Sequence, residues 1–299
     1  MLPSCERAQP DQGTVVRFLS PLARPGPFGV DLVRGLDSAI ADVQVLLSGT
    51  PGSLSLVSNL QRGDGEVGIA QADIVSLAYR QGLEGHEFPH TNLRGVAVLW
   101  TNAVQIIVSG DNAVHSVEDL SGQRVGVGPI GSAGEFYART VLEAYGLDYS
   151  TVEEYPQPVS EMPMALRRGS LDAAIAVTFL DPSFLEASPR LRLLSIDPNV
   201  VDRLRSQYLF VKPLVFPSGA LDADSIDVHT VGVDALLVCH KDLEEELVYR
   251  LVSEFFSLLP KLMHKHVAAS LVDPDLGPTT PIPLHPGAAR YYREREILR

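Results

Sequence analysis

The sequence has few of the features that mark disulfide scaffolds, membrane spans or nucleic-acid-binding proteins. It contains two cysteines in 299 residues, Cys5 and Cys239, and no apolar run approaches the roughly 18 residues that a membrane-spanning helix needs. The 24 basic residues are scattered, and the formal net charge is −13. Because counterion-release binding requires clustered lysine and arginine, the composition argues against a nucleic-acid partner.

Apolar content of 45% supports one or two well-packed globular units. After a polar tail at residues 1–13, strand and helix patterns alternate, and a second series of strand–helix units starts after about Asn102. This order predicts α/β lobes with mostly parallel sheets and right-handed crossovers. We expect a first lobe at 14–102 plus 230–299 and an inserted second lobe at 103–229. Two crossing strands, near 101–105 and 225–231, would join them.

The most informative stretch runs from Arg124 to Gly146. Apolar residues alternate with glycine up to Val127, a glycine-rich turn follows, and an apolar helical face comes next. Ser132 is placed to cap that helix, and Glu135 stands three residues later, the spacing of a capping box. The free amides and positive dipole at such a helix end predict a site for an anion.

Two motifs match known patterns without the context that those patterns need. Gly126-Val-Gly128-Pro-Ile-Gly131 matches the dinucleotide fingerprint, but the better helix cap, Ser132, comes later and Pro129 stiffens the loop. His86-Glu-Phe-Pro-His90 matches a zinc-protease pattern, but proline before the second histidine disfavours a helix. We therefore predict no catalytic residue, no metal and no cofactor, and keep a dinucleotide oxidoreductase as an alternative.

Further candidate ligand residues lie where predicted strands end, which is where open α/β sheets bind ligands. Gln71 and Asp73 follow one such strand, and Thr178 and Phe179 follow another. Asp73 has the alternative role of a helix cap. Trp100, the only tryptophan, precedes the predicted crossing and fits a cleft or a core position equally well.

Several segments together resemble the TAXI family, the extracytoplasmic solute-binding subunits of tripartite ATP-independent periplasmic (TRAP) transporters. The resemblance covers nearly the whole chain. It is carried by Val117-Glu-Asp-Leu-Ser-Gly-Gln-Arg-Val-Gly-Val-Gly-Pro-Ile-Gly-Ser-Ala-Gly134, Gly63-Asp-Gly-Glu-Val-Gly-Ile-Ala-Gln-Ala-Asp73, Arg168-Gly-Ser-Leu-Asp-Ala-Ala174 and Ile282-Pro-Leu-His-Pro-Gly-Ala-Ala-Arg-Tyr-Tyr292.

The resemblance implies a two-lobed, type II periplasmic-binding fold that closes on a small carboxylate, often glutamate-like or another amino-acid-like solute, and delivers it to a TRAP permease. Gly131, Ser132 and Ala133 would then offer amides and a hydroxyl to the carboxylate, while Gln71 and Asp73 face it from the first lobe. The implied location is periplasmic. Leu2-Pro-Ser-Cys5 resembles the end of a lipoprotein cleavage site, so Cys5 is a candidate for lipid anchoring.

One loop departs from the family pattern. The first strand of the family leads into a loop rich in glycine, serine and tyrosine, whereas this chain has Ser20, three prolines, Arg24 and Phe28 before Gly29. We expect Ser20, Arg24 and Phe28 to line the site and to favour a less polar acid, or to weaken binding. Two further alternatives are an enzyme built on the same fold and a sensor or scaffold that has lost transport.

Overall fold

The computed structural model describes residues 14–21, 27–85, 87–178, 191–208, 210–216 and 227–298. The strands are β1 (Thr14–Pro21), β2 (Val43–Thr50), β3 (Val67–Gln71), β4 (Leu93–Ser109), β5 (Arg124–Val127), β6 (Glu153–Pro156), β7 (Ala173–Thr178), β8 (Leu191–Leu194), β9 (Val211–Phe216) and β10 (Val228–His240). The helices are α1 (Pro27–Ala39), α2 (Ser53–Arg62), α3 (Ala72–Gln81), α4 (Ala133–Ala144), α5 (Met162–Arg167), α6 (Pro198–Gln207), α7 (Glu245–Met263), α8 (Val267–Ser270) and α9 (Pro286–Glu294).

The ten described strands form one mixed sheet in the order β2-β1-β3-β10-β4-β7-β5-β6, with β8 beside β4 and β9 beside β10. The strands β1, β2 and β3 pair in parallel, as do β5, β6 and β7. Strands β4 and β10 run antiparallel to their neighbours. The predicted alternation of strands and helices with parallel pairing is therefore confirmed, and two long antiparallel strands connect the two parallel groups.

The sequence from Leu93 to Val108 contains two strand-like runs separated by Thr101-Asn-Ala103, which predicts two strands. That prediction is wrong, because Leu93–Ser109 forms the single strand β4. The polar residues at its middle find hydrogen-bond partners inside the sheet. Thr101 Oγ1 donates to Asp234 Oδ1 at 2.8 Å, and Asn102 Oδ1 accepts from Trp100 Nε1 at 3.0 Å. Satisfied polar groups do not interrupt a buried strand, so β4 continues from β10 to β7.

Proline and glycine are frequent from Lys212 to Asp227, which predicts a crossing segment, and the described part of this stretch contains a strand. Residues Val211–Phe216 form β9, which pairs antiparallel with Val228–Val233 of β10. In the described sheet β9 pairs with β10 only, and an edge strand tolerates a proline such as Pro213. Lys212 Nζ lies 2.5 Å from Asp234 Oδ2, so an ion pair connects β9 with the middle of β10.

Helices cover both faces of the sheet. On one face, apolar residues of α1, α7 and α9 pack together, including Leu32, Phe255 and Tyr292. On the other face, a single apolar cluster contains residues of α2, α3, α4 and α6. Because that cluster extends from the β1–β3 group to the β5–β7 group, α3 and α4 become neighbours across the middle of the molecule.

Each parallel group of strands is held at its amino end by an arginine–carboxylate pair. Glu66 accepts from the backbone and side-chain nitrogens of Arg17 on β1, with contacts of 2.6 to 3.0 Å. Asp172 accepts in the same way from Arg124 on β5, at 2.8 to 3.0 Å. Since each acid immediately precedes the neighbouring parallel strand, these bidentate pairs fix the register of β1 with β3 and of β5 with β7.

We predict that Asp172→Asn destabilises the protein by about 1 kcal/mol near neutral pH. The hydrogen bonds from Arg124 hold the pKa of Asp172 below its usual value. A depressed pKa contributes stability above the unfolded pKa that disappears as the pH falls through the folded pKa. Urea unfolding should therefore show a difference between wild type and variant at about pH 7 that shrinks towards about pH 3.

Asp202→Asn is the control for this experiment, because Asp202 forms a surface pair with Arg205 and its side chain is 73% exposed. We expect no measurable change in unfolding free energy for this variant. A loss for Asp172→Asn that is equally large at both pH values would contradict the ion-pair account.

Candidate functional site

The amino end of α4 begins at the glycine-rich loop that follows β5. Ser132 is the N-cap, and its Oγ accepts from the Glu135 backbone nitrogen at 3.1 Å, which confirms the predicted cap. The reciprocal half of the capping box is not formed. The Ser132 nitrogen donates to the Pro129 carbonyl at 2.9 Å, and the Glu135 carboxylate lies 3.7 Å from Arg139. The cap therefore uses the Ser132 hydroxyl and leaves Glu135 at the side of the helix.

The loop before α4 lies directly against the start of α2. Gly131 has φ +78°, a left-handed conformation that favours glycine, and its carbonyl accepts from the Ser55 nitrogen at 3.3 Å. A Cβ on Gly52 would lie 2.5 Å from the Cα of Ser132, so the two backbones are as close as glycine allows. The positive ends of two helices, one from each parallel group, meet at this point.

The small-residue loop Ser48-Gly-Thr-Pro-Gly-Ser53 predicts that Ser53 caps a helix at 54–62, and that prediction is wrong. The N-cap of α2 is Gly52, and no side chain of the described residues caps the helix. The Ser53 hydroxyl instead accepts from the Gln71 backbone nitrogen at 3.2 Å, because Ser53 is already the first helical residue and faces β3. The first turn of α2 therefore keeps its dipole without a side-chain acceptor.

Gln71 and Asp73 are both buried where β3 meets α3. Gln71 is the N-cap of α3, and its Oε1 has no partner among the described residues. Asp73 Oδ2 accepts from Tyr137 Oη at 2.6 Å, while Oδ1 has no partner in that same part of the chain. The alternative role of Asp73 as a helix cap is wrong, since it lies one residue inside the helix and makes no capping hydrogen bond.

Burial raises the pKa of Asp73 to about 6, although the hydrogen bond from Tyr137 partly offsets this shift. Burial also raises the pKa of Tyr137 well above its usual value. Tyr137 lies on α4 and is fully buried, so this hydrogen bond connects the two groups of strands. No sequence motif marks Tyr137. Only its position on the buried face of α4 distinguishes this tyrosine from the others.

Trp100 and Phe28 lie together in the apolar layer beneath α1. Their ring centroids are 5.1 Å apart in an edge-to-face arrangement, and Trp100 is 9% exposed. The Phe28 ring also contacts His266 at 5.9 Å. Of the two positions considered for Trp100, the structure supports the core position. Both rings belong to the apolar cluster formed with residues of α1, α7 and α9.

The remaining candidates occupy strand ends or lie outside the described residues. Ser20 is buried near the end of β1, and its carbonyl accepts from Thr50 Oγ1 at 3.4 Å. Thr178 ends β7, and its carbonyl accepts from Gln105 Nε2 at 3.3 Å. Arg24 and Phe179 lie outside the described residues. Ser20 and Gln71 thus lie at the carboxyl ends of β1 and β3, and Gly131, Ser132 and Ala133 follow the carboxyl end of β5.

Within the described ranges, no group of three or more histidine, cysteine, aspartate or glutamate side chains could hold a metal ion. Residues 87–90 are irregular rather than helical, and His90 Nδ1 lies 3.0 Å from the Phe88 carbonyl. His86 and Cys5 lie outside the described residues, and Cys239 is buried as a free thiol. None of the described helices is long and apolar enough to cross a membrane.

A groove of about 510 Å³ lies beside the contact between α2 and α4. Its charged groups already have partners: Arg62 pairs with Asp64 at 2.8 Å, and Arg139 pairs with Glu84 at 3.4 Å. Paired arginines are poor receptors for a small anion. The groove therefore offers no unpaired arginine to an anion among its described lining residues.

We predict that Gly52→Ala moves α2 and α4 apart. The backbone of Gly52 is extended and accepts any residue, but the added Cβ would lie 2.5 Å from Ser132 Cα. Small-angle scattering should therefore show a larger radius of gyration than for wild type. Far-ultraviolet circular dichroism should stay unchanged, since the added methyl group acts on the contact between α2 and α4 and not on the hydrogen bonds within helices and strands.

Gly63→Ala at the other end of α2 is the matched control. Gly63 has φ +77° and no neighbour close to an added Cβ, so alanine strains the backbone without touching α4. We expect a stability loss of about 1 kcal/mol and an unchanged radius of gyration. An unchanged radius for Gly52→Ala would contradict the close contact.

A further prediction concerns Asp73 and pH. A folded-state pKa of about 6, above the usual 3.8, means that stability is fully present below about pH 4 and declines as the pH rises through about 6. Asp73→Asn removes this decline, which amounts to about 3 kcal/mol at most. The difference in unfolding free energy between variant and wild type should move in favour of the variant between about pH 4 and about pH 7.

Tyr137→Phe should act in the opposite direction, since it removes the hydrogen bond that favours the charged carboxylate. The wild-type decline with pH should become steeper in this variant. A difference between wild type and Asp73→Asn that does not vary with pH would show that Asp73 titrates normally.

The sequence and the fold of this chain are similar to those of known proteins. The model of the NMT1-like family matches residues 27–295. A protein of Bordetella bronchiseptica RB50 aligns at a TM-score of 0.55 with 16% identity, covering 88% of this chain and 76% of that one. An ancestral arginine-binding protein bound to arginine aligns at 0.52 with 14% identity, covering 87% and 99%.

A putative L-cystine ABC transporter protein from Listeria monocytogenes aligns at a TM-score of 0.52 with 14% identity, covering 89% of this chain and 99% of that one. At these identities the likeness concerns the fold, and it confirms the predicted two-lobed type II binding-protein architecture. The matched family model carries another name than TAXI, so the TAXI assignment stays a prediction. The chain belongs to the NMT1-like family.

Proposed function

We propose that this protein is an extracytoplasmic solute-binding protein that captures a small organic carboxylate between two lobes. The observation that carries the proposal is the meeting of two helix amino ends, Gly52 to Ser55 of α2 and Gly131 to Ala133 of α4. Free backbone amides and positive dipole ends are a recurrent anion-binding arrangement. Here they come from the two halves of the sheet, as a clamp requires.

The charge distribution favours recognition at short range. A net charge of −13 repels an anion at a distance, so the affinity must come from local donors inside the cleft. The backbone amides of α4 and the Ser132 hydroxyl are such donors. A small ligand fits this arrangement, because the loops at the two helix ends are already in contact.

The proposed lobes, 14–102 plus 230–299 and 103–229, are linked by β4 and β10. At this crossing Asp234 accepts from Thr101 and pairs with Lys212, so the centre of the link is firmly bonded. Hinge closure around such a link would bury the solute, and only the liganded state would hold the cleft shut. Asp73 and Tyr137 would form their hydrogen bond on closure.

The proposals for the solute and for the permease rest on the resemblance of this chain to other proteins. The aligned proteins include an arginine-binding protein and a putative L-cystine transporter protein, which supports an acid of amino-acid size. The sequence resemblance to TAXI proteins supports delivery to a TRAP permease. The sequence between Ser20 and Gly29, with Arg24 and three prolines in place of the glycines and tyrosines of TAXI proteins, supports a less polar acid than glutamate.

The test is a thermal-shift and calorimetry screen of the full chain against carboxylates and amino acids. We expect at least one small acid to raise the melting temperature, since a ligand that binds only the folded state stabilises it. Ser132→Ala should weaken binding of that acid by about tenfold and cost about 1 kcal/mol of stability through loss of the cap.

Asp197→Ala is the matched control. Asp197 also caps a helix, α6, by accepting from the Asn199 nitrogen at 2.7 Å, but it lies away from the α2–α4 contact. It should cost similar stability without any change in affinity. A screen in which NAD shifts the melting temperature and no acid does would instead support the oxidoreductase alternative.

A further inference from the structure

A groove between α1 and α7 collects basic side chains on an acidic protein. Its volume is about 430 Å³, and Arg34, Lys261 and Lys265 line it, with Asp31 as the one acid among its described lining residues. The sequence contains only four lysines, and two of them lie here, although acidic residues outnumber basic ones by 37 to 24. The groove is therefore a local positive site on a protein of negative net charge.

Little acidic charge is left near this groove to neutralise the lysines. Asp31 Oδ2 lies 3.1 Å from His266 Nε2 and 3.5 Å from Lys265 Nζ, so its carboxylate is shared between two partners. The chain has no acidic residue at positions 255–272. In the part of the chain that the structure describes, Lys261 forms no ion pair. The groove thus keeps a positive charge that can act on a partner.

Exposed apolar side chains follow at the end of α7 and in α8. Met263, the last residue of α7, is 44% exposed, and Val267 and Leu271 are 50% and 48% exposed. Val267 and Leu271 are four residues apart in helical backbone, so their side chains lie on one face. The opposite face of α8 is buried through Ala268 and Ala269. The outer apolar face of α8 is thus left uncovered by the described residues.

The groove and the exposed apolar side chains adjoin each other. The connection from α7 to α8 is tight, because the His266 backbone nitrogen donates to the Leu262 carbonyl at 2.9 Å. Leu262 and Lys265 both line the groove, and Met263 lies between them in the chain. Basic and apolar side chains therefore share one surface, a combination typical of protein faces that lie on a membrane interface.

We call this combination of groove and apolar side chains the basic–apolar surface, formed by Arg34, Lys261, Lys265, Met263, Val267 and Leu271. We propose that it docks the protein onto a membrane that contains anionic phospholipids. The basic side chains attract the lipid phosphates, and the apolar side chains enter the boundary between headgroups and acyl chains.

Charge complementarity favours this partner. The net charge of −13 repels an anionic membrane, so the protein can approach such a membrane only through a locally positive face. Apolar side chains beside the positive charge add an attraction that a dissolved anion cannot use. This inference goes beyond solute binding and does not depend on it.

The test is flotation of the full chain with lipid vesicles. Vesicles of phosphatidylcholine with about 40% phosphatidylglycerol should bind the protein, whereas vesicles of phosphatidylcholine alone should not. Raising the sodium chloride concentration from about 50 mM to about 500 mM should release most of the bound protein, since added ions screen exposed charges.

A pair of lysine substitutions tests the basic half of the surface. Lys261→Gln combined with Lys265→Gln should weaken binding to the anionic vesicles by about tenfold. The matched control is Lys241→Gln combined with Arg205→Gln, which changes the net charge equally at two exposed positions outside the surface. The control should bind like wild type.

A pair of serine substitutions tests the apolar half. Val267→Ser combined with Leu271→Ser should weaken binding by about tenfold, because less apolar area leaves water on docking. Met164→Ser combined with Val215→Ser is the control, since these residues are 44% and 43% exposed and lie on α5 and β9. All variants should keep the melting temperature of the wild type, because the substituted side chains are exposed.

Several outcomes would overturn the inference. They are failure of the wild type to bind anionic vesicles, and equal binding by the wild type and either surface variant. Binding to soluble polyglutamate but not to vesicles would overturn it in favour of an acidic protein partner. Release by inorganic phosphate, at an ionic strength where chloride leaves the protein bound, would overturn it in favour of a site for free phosphate.

Discussion

The contact between the amino ends of α2 and α4 is the constraint on which the rest of the structure depends. It requires glycine at position 52 and a left-handed residue at position 131, and it brings two like dipole ends together. Like ends repel each other unless an anion or an acceptor lies between them. The hydrogen bond from Ser55 to the Gly131 carbonyl supplies one acceptor. A bound anion beside this contact would supply a stronger compensation.

Buried polar groups around this contact follow the same logic. Gln71 and Asp73 each present an atom without a partner among the described residues, although buried polar atoms are usually paired. Each such atom destabilises the fold as long as it has no partner. Asp73 adds a pH-dependent component through its raised pKa.

Sequence patterns predicted the elements well and the contacts between them poorly. Glycine, alternating apolar residues and Ser132 were enough for β5, its loop and the start of α4, because these signals are local. The continuity of β4 was missed, since Thr101 finds its partner in Asp234, far along the chain. Tyr137 carries no local motif. Its position depends on how α4 meets α3.

The arginine–carboxylate pairs lie at the end of the strands opposite the cleft. Arg17 with Glu66 and Arg124 with Asp172 fix the strand register from that side. Loops at the other end are thus free to change in sequence without altering the sheet. The proline-rich loop after β1 is an example of such change. The residues that set the strand register are therefore not the loop residues at the other end of the strands. Substitution of a few loop residues can change the solute that is bound with little loss of folding stability.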